Sequence, residues 1–270
     1  MEKKESIQVI REQLKLGPEE AELERWRKDG RTGVRKLLEA YDRKQAARKL
    51  ERERLERLQD LEREFWERGM DQVAGCDEAG RGPLAGPLVT AAVILPHGIW
   101  LPGLTDSKKV TPARRETLYG EILEQAVSVT VSILGPREID RLNIYQAAKT
   151  AMTLCLTHMK VHPQGAITDA MPLEIPGIPV EDMVRGDSKS AAVAAASIIA
   201  KVTRDHIMEN LDRDYPQYGF AKHKGYGTAR HIQAILDCGP SPWHRRSFEP
   251  LKSMDLKEPA VSENKLLKLK

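Results

Sequence analysis

Gly75-Cys76-Asp77-Glu78-Ala79-Gly80-Arg81-Gly82-Pro83-Leu84-Ala85-Gly86-Pro87-Leu88-Val89 is the stretch on which the reading of this chain turns. A short apolar run ends in two adjacent carboxylates. A glycine–arginine–glycine turn follows, then a second apolar run from Leu88 to Leu95. Buried charges cost several kcal/mol unless something compensates them. Asp-Glu at a strand end is therefore not there for stability, and a metal ion is the usual compensation. The turn beside it offers close-approaching backbone amides and a cation, which suit an anionic substrate. The pair points to metal-assisted chemistry on phosphate.

The elements on either side supply the fold class. Val73–Asp77, Leu88–Leu95, the alternating Val127–Leu134 and the short Gly165–Asp169 read as strands. Helical patterns cover Pro112–Gln125, Glu138–Val161, the alanine-rich Ser188–Leu211 and Thr228–Cys238, the last with Thr228 as N-cap and Gly239 as stop. Strands alternating with helices predict an α/β fold with a mixed sheet. Residues 1–70 have a different texture, with roughly half of them charged and both signs mixed. There the pattern predicts helices over 6–16, 18–28 and 33–67, the last capped by Thr32, as an extension ahead of a domain spanning 71–251. Residues 252–270 read as a flexible tail, and no internal repeat is present.

Composition narrows the function classes. The chain has 270 residues, 40% of them hydrophobic, with a net charge of +3. Any nucleic-acid contact must then rest on local positive charge. Cys76, Cys155 and Cys238 form no CxxC pair, which excludes zinc ribbons and disulfide scaffolds, and Cys155 and Cys238 read as buried helical thiols. Met1–Lys15 has no apolar leader core. The longest near-apolar run, Ala191–Ala200, is about half a membrane span. A soluble, cytoplasmic, monomeric protein is the expectation.

Asp77 and Glu78 end one predicted strand and Asp169 ends another. Asp187 precedes the alanine-rich helix, whose positive end is expected to favour the ionised carboxylate. In an open sheet, strand ends bring such groups to one edge. Four carboxylates without a cysteine or histidine cluster favour Mg²⁺ or Mn²⁺ over zinc. Two ions roughly 4 Å apart can activate a water and stabilise a leaving 3′-oxygen. Read singly, Asp187 is a helix cap and Asp169 is as readily a turn residue as a ligand. The joint pattern is far more specific.

With those motifs in hand, the chain resembles ribonuclease HII. The resemblance rests on Gly75–Pro87, Asp106-Ser107-Lys108-Lys109, Gly186-Asp187-Ser188-Lys189, Ala194–Asp205, His223–Thr228 and His244–Phe248, in the family's order across about 73–251. Longer members of that family carry an N-terminal helical extension. The turn Gly80-Arg81-Gly82 favours type HII over the sister type HIII. The resemblance implies an RNase H-like fold: a mixed five-stranded sheet flanked by helices, with a helical C-terminal lobe over about 206–251. It implies endonucleolytic cleavage of RNA in RNA–DNA hybrids and at single ribonucleotides in duplex DNA. The expected cut is on the 5′ side and leaves 3′-hydroxyl and 5′-phosphate ends.

Asp77, Glu78, Asp169 and Asp187 match the family's metal-binding carboxylates. The resemblance further implies that Gly80, Arg81 and Gly82 read the ribose 2′-hydroxyl, where glycine lets backbone approach a sugar. Tyr226 is implied to stack on the sugar after the ribonucleotide. Lys108, Lys109, Lys189, Lys222, Lys224, Arg245 and Arg246 are candidate phosphate contacts. His223 and His244 read as loop-ordering or phosphate-contacting residues, and Ser188 and Ser190 as helix-start residues. Two rival readings stand beside the nuclease: a non-catalytic nucleic-acid binder on the same scaffold, and a nuclease for another DNA substrate. Gln13-Leu14-Lys15-Leu16 loosely resembles a sliding-clamp docking peptide without its aromatic ending.

Overall fold

The computed structural model describes residues 5–254, so most of the expected tail lies outside the described residues. The chain divides into two compact units, Met1–Arg54 and Leu55 onward. The division falls inside a helix.

The first unit contains α1 (Ile7–Leu16), α2 (Glu20–Arg27) and most of α3 (Thr32–Leu58). Ile10, Leu23, Trp26, Val34 and Leu38 form its small core. Ser6 caps α1 through its side chain, whereas Thr32 is the first helical residue of α3 instead of its cap. The long helix expected over 33–67 is broken at Gln59, and α4 (Asp60–Glu67) follows. No local breaker sits there; the buried Gln59 instead accepts a bond from the Gly98 backbone N–H, a long-range contact.

The second unit is built on a sheet in the order β3-β2-β1-β4-β5: β1 (Val73–Ala79), β2 (Leu88–Ile94), β3 (Ser128–Leu134), β4 (Gly165–Asp169) and β5 (Val180–Met183). β1–β2 and β2–β3 pair antiparallel, while β1–β4 and β4–β5 pair parallel. β5 carries no apolar periodicity, only Val180-Glu181-Asp182-Met183, and it exists as a strand by pairing with β4.

Both faces of the sheet are covered. Along β2 every residue is buried, and the pleat sends Val89, Ala91 and Val93 one way and Leu88, Ala92 and Ile94 the other. The first set packs against α5 (Pro112–Gln125) and α8 (Ala191–Asp214), the second against α6 (Pro136–Leu142) and α7 (Ile144–Thr157). The helix expected over 138–161 is split because Asn143 adopts φ 64° and caps α7, accepting from the N–H groups of Tyr145 and Gln146. The alanines of α8 allow a close approach to β1. A Cβ on Gly75 would lie 2.1 Å from the Ala192 carbonyl carbon and the Val193 nitrogen. The C-terminal lobe adds α9 (Phe220–His223) and α10 (Ala229–Cys238), with Thr228 as N-cap. Cys155 is buried as expected, but Cys238 is exposed at the end of α10. Among the described residues no helix is long and apolar enough to cross a membrane.

Candidate active site

The parallel register pairs Cys76 with Thr168, so the next residues, Asp77 and Asp169, emerge side by side at the carboxyl ends of β1 and β4. Asp187 reaches them from a 3-10 turn, Gly186–Ser188, just ahead of α8. The Gly186 N–H donates to Asp169 Oδ1 at 2.8 Å and ties that turn to β4. Carboxylate oxygens of Asp77, Asp169 and Asp187 all lie within 4.8 Å of one another. Three oxygen donors at that spacing suit a hard divalent cation.

Electrostatics carry the same message. Asp77 is pushed well above the usual carboxylate range, first by burial, then by Glu78 and Asp169; the Glu78 N–H, 2.7 Å from its Oδ1, opposes this. Asp187 is also raised, by burial and by Asp106 and Asp169. The expectation that the helix terminus would favour ionised Asp187 is corrected here. Ser190, not Asp187, caps α8, and burial first, then Asp106 and Asp169, raise Asp187. Glu78 stands at the rim, paired with Arg81 at 3.4 Å; burial and Asp169 raise it while Arg81 and Lys108 lower it. Asp106 is a carboxylate that sequence reasoning missed. Its charge helps to raise Asp187, and its Oδ1 accepts from the Lys108 N–H. It lies in the Asp106-Ser107-Lys108-Lys109 motif, beside the two lysines.

The glycine-rich turn is held from behind by two buried arginines. Arg204 donates to the carbonyls of Pro87, Ala85 and Lys224. Arg245 donates to those of Gly80, Arg81 and Gly86. Arg245 is therefore no phosphate contact: it is 0% exposed and its guanidinium is spent on backbone. Gly80 adopts φ 100°, and a Cβ there would lie 2.2 Å from Arg204 Nε. Gly82 faces Tyr226 with only 3.8 Å between a hypothetical Cβ and the ring. Tyr226 is half exposed, and the Gly225 carbonyl accepts from the Leu84 and Ala85 N–H groups, so both loops form one surface.

Behind Tyr226 lies a histidine relay. The Ser241 N–H donates to His244 Nδ1 at 2.9 Å, which leaves the proton on Nε2. That nitrogen is 3.0 Å from His231 Nε2, whose ring then donates from Nδ1 to the Tyr226 carbonyl at 2.9 Å. Burial depresses both imidazoles, His231 to about 4 and His244 to about 3, so the relay is neutral. His244 is thus a buried loop-ordering residue, and His223 stacks on His231 while its Nε2 meets the Tyr218 carbonyl.

The remaining basic residues are spread around this surface. Lys108, Lys109, Lys189, Lys222, Arg81 and Arg246 are exposed, and Lys108 is close enough to act on both Glu78 and Asp187. Lys224 is less free, with its ammonium 2.7 Å from Glu209.

Known families share this arrangement. The ribonuclease HII family model matches residues 74–250, and the model for the ribonuclease HII N-terminal domain matches 6–66. The chain belongs to the ribonuclease HII family. It is 48% identical to a ribonuclease HII from Desulfitobacterium hafniense (strain Y51) over 92% of this chain and 95% of the relative. It is 46% identical to a ribonuclease HII from Enterococcus faecalis (strain ATCC 700802 / V583) over 93% and 99%. Among solved structures, the ribonuclease H2 from Pyrococcus horikoshii OT3 superposes with a TM-score of 0.57 at 28% identity, covering 67% of this chain and 96% of that one. A PCNA:RNase HII complex from Archaeoglobus fulgidus gives 0.55 at 28%, covering 66% and 95%. As a member of this family the chain is a type II ribonuclease H, a divalent-metal-dependent endonuclease acting on RNA–DNA substrates.

Proposed function

We propose that this ribonuclease HII incises 5′ of single ribonucleotides embedded in duplex DNA, besides cutting longer hybrids, and leaves 3′-hydroxyl and 5′-phosphate ends. The observation that carries this reading is that β1 brings Asp77 to the carboxylate cluster and runs directly into the Gly80–Gly82 turn, where Gly82 faces Tyr226. Asp77, Asp169 and Asp187 would hold Mn²⁺ or Mg²⁺, with Glu78 joining from the rim. When bound, two such ions supply an activated water and stabilise the leaving oxygen. The chain's own residues do the rest. Backbone of Gly80, Arg81 and Gly82, fixed by Arg204 and Arg245, presents amides and carbonyls to a 2′-hydroxyl. Tyr226 offers a flat apolar face for the next sugar, which a 2′-hydroxyl would crowd. Lys108, Lys189, Lys224 and Arg246 meet backbone phosphates, and the ammonium of Lys224 exchanges Glu209 for a phosphate oxygen.

Cytoplasmic location and a monomeric state belong to the same proposal. A clamp contact through Gln13–Leu16 is supported only by the archaeal PCNA complex. That stretch forms the last turns of α1, with Leu14 packed on its own unit's core.

The test is a duplex carrying one ribonucleotide, with product ends mapped in Mn²⁺ and in Mg²⁺. Wild type should cut 5′ of the ribonucleotide, and Tyr226→Ala should lose junction preference more than binding. Cutting elsewhere, or an unchanged preference in Tyr226→Ala, would overturn the junction reading.

A further inference from the structure

α4 has no part in the reading above, yet it touches β1 and β4, which bear Asp77 and Asp169, and the start of α8, which follows Asp187. Its Glu62 is buried, and one oxygen, Oε1, accepts from the Ser190 hydroxyl at 2.6 Å and from the Ala192 N–H at 2.8 Å. Those donors belong to the start of α8. The same Ser190 hydroxyl accepts from the Val193 N–H at 3.1 Å, so its orientation is fixed from both sides.

From Ser190 the bonds run on into the site. The Ser190 N–H donates to the Gly186 carbonyl at 2.8 Å, closing the turn that carries Asp187. The Gly186 N–H donates to Asp169 Oδ1. Three residues along α4, Phe65 packs with Val73 of β1, Ile167 of β4 and Val193 of α8. It also fills the space over Gly165, where a Cβ would lie 2.3 Å from the ring. β1, β4 and α8 are the elements that present Asp77 and Asp169 and follow Asp187.

A carboxylate at this place is costly, because burial outweighs the bonds it accepts and pushes Glu62 above the usual range. An apolar side chain could fill the same volume. What the Glu62 oxygen adds is an acceptor that fixes two donors at the first turn of α8.

We propose that Glu62 is a positioning residue of the metal centre, through which α4 sets the Asp187 turn against Asp169. The proposal rests on the reading that Asp187 binds the metal. Groups that orient metal ligands typically change metal affinity when removed, without touching the ion.

The experiment is a Mn²⁺ titration of the full chain by calorimetry, with melting in EDTA recorded alongside, for wild type, Glu62→Ala, Glu62→Gln and Asp187→Asn. Glu62→Ala should bind Mn²⁺ about 10-fold more weakly. Glu62→Gln keeps the oxygen that accepts both bonds and should stay within about threefold of wild type. Should Glu62→Ala not fold, Glu62→Asp, which withdraws the oxygen by one methylene, takes its place with the same expected loss. Mn²⁺ affinity unchanged in the Ala or Asp variant, with only a lower melting temperature, would overturn the proposal and leave Glu62 a stabilising residue. Asp187→Asn binding Mn²⁺ like wild type would instead refute the metal-site reading beneath it.

Discussion

Replacing Asp77 by Asn should make the metal-free protein more stable while removing its activity. Asp77 shares a 4.8 Å cluster with Asp169 and Asp187. Two unit charges at that distance repel by about 3.5 kcal/mol at an effective dielectric of 20. The raised pKa values of Asp77 and Asp187 mean that the cluster already sheds part of its charge by holding protons. Only a fraction of the repulsion is therefore there to be relieved, about 2 kcal/mol, which is roughly 4–8 °C in melting temperature for a unit of this size. The amide of Asp77→Asn retains an oxygen that can accept from the Glu78 N–H, so no backbone bond is lost.

Mn²⁺ should reverse the ranking. Wild type gains about 2.7 kcal/mol at a hundred times Kd, whereas the variant, missing a central ligand, gains little. The pH dependence has a definite sign. A carboxylate whose folded pKa is raised contributes stability below its unfolded value that is lost as pH rises through the folded value. In EDTA, wild type should therefore lose stability as pH climbs above the ordinary carboxylate range, and Asp77→Asn should lose less. Calorimetric melts at several pH values, with EDTA or Mn²⁺, measure all of this. An Asp77→Asn protein that melts below wild type in EDTA and gains as much from Mn²⁺ would refute the reasoning.

The arginine and histidine geometry sets three further outcomes. Arg246→Ala should lower the salt dependence of substrate binding by about one phosphate's worth of slope with little change in stability. Arg245→Ala should leave carbonyls of the glycine-rich turn unpaired and destabilise by about 3 kcal/mol or more, and binding isotherms across salt with urea melts would separate the two. Because His231 and His244 are depressed from 6.5 to about 4 and about 3, their contribution to stability is complete above pH 6.5 and is lost as pH falls toward 4. The slope is about 1.4 kcal/mol per pH unit for each proton taken up. His231→Gln should remove one such contribution, and urea unfolding at pH 7.5, 6 and 5 with an unchanged slope would contradict it.

Much of this protein was legible before any coordinates. Short apolar runs mark β1 and β2, an alternating one marks β3, and Thr228 and Gly239 bracket α10, because those signals are local. Asp77-Glu78 before Gly-Arg-Gly announced the chemistry for the same reason: adjacent charges at a strand end have few other uses. Tertiary structure decided what depends on distant partners. β5 has no pattern of its own and is a strand only beside β4. The helix breaks at Gln59, whose side-chain oxygen accepts from the distant Gly98 N–H. Arg245 and Arg246 are neighbours of one residue type, yet one is sealed beneath the Gly80–Gly86 turn and the other meets solvent. The sign of the Asp187 shift followed from burial and from Asp106 and Asp169, which lie on two other segments. Glu62, one of many charges in the helical extension, acquired its partners only when α4 packed beneath α8. Sequence determines which groups exist and their local period; burial and long-range pairing, which set what each charge costs and does, arise only on folding.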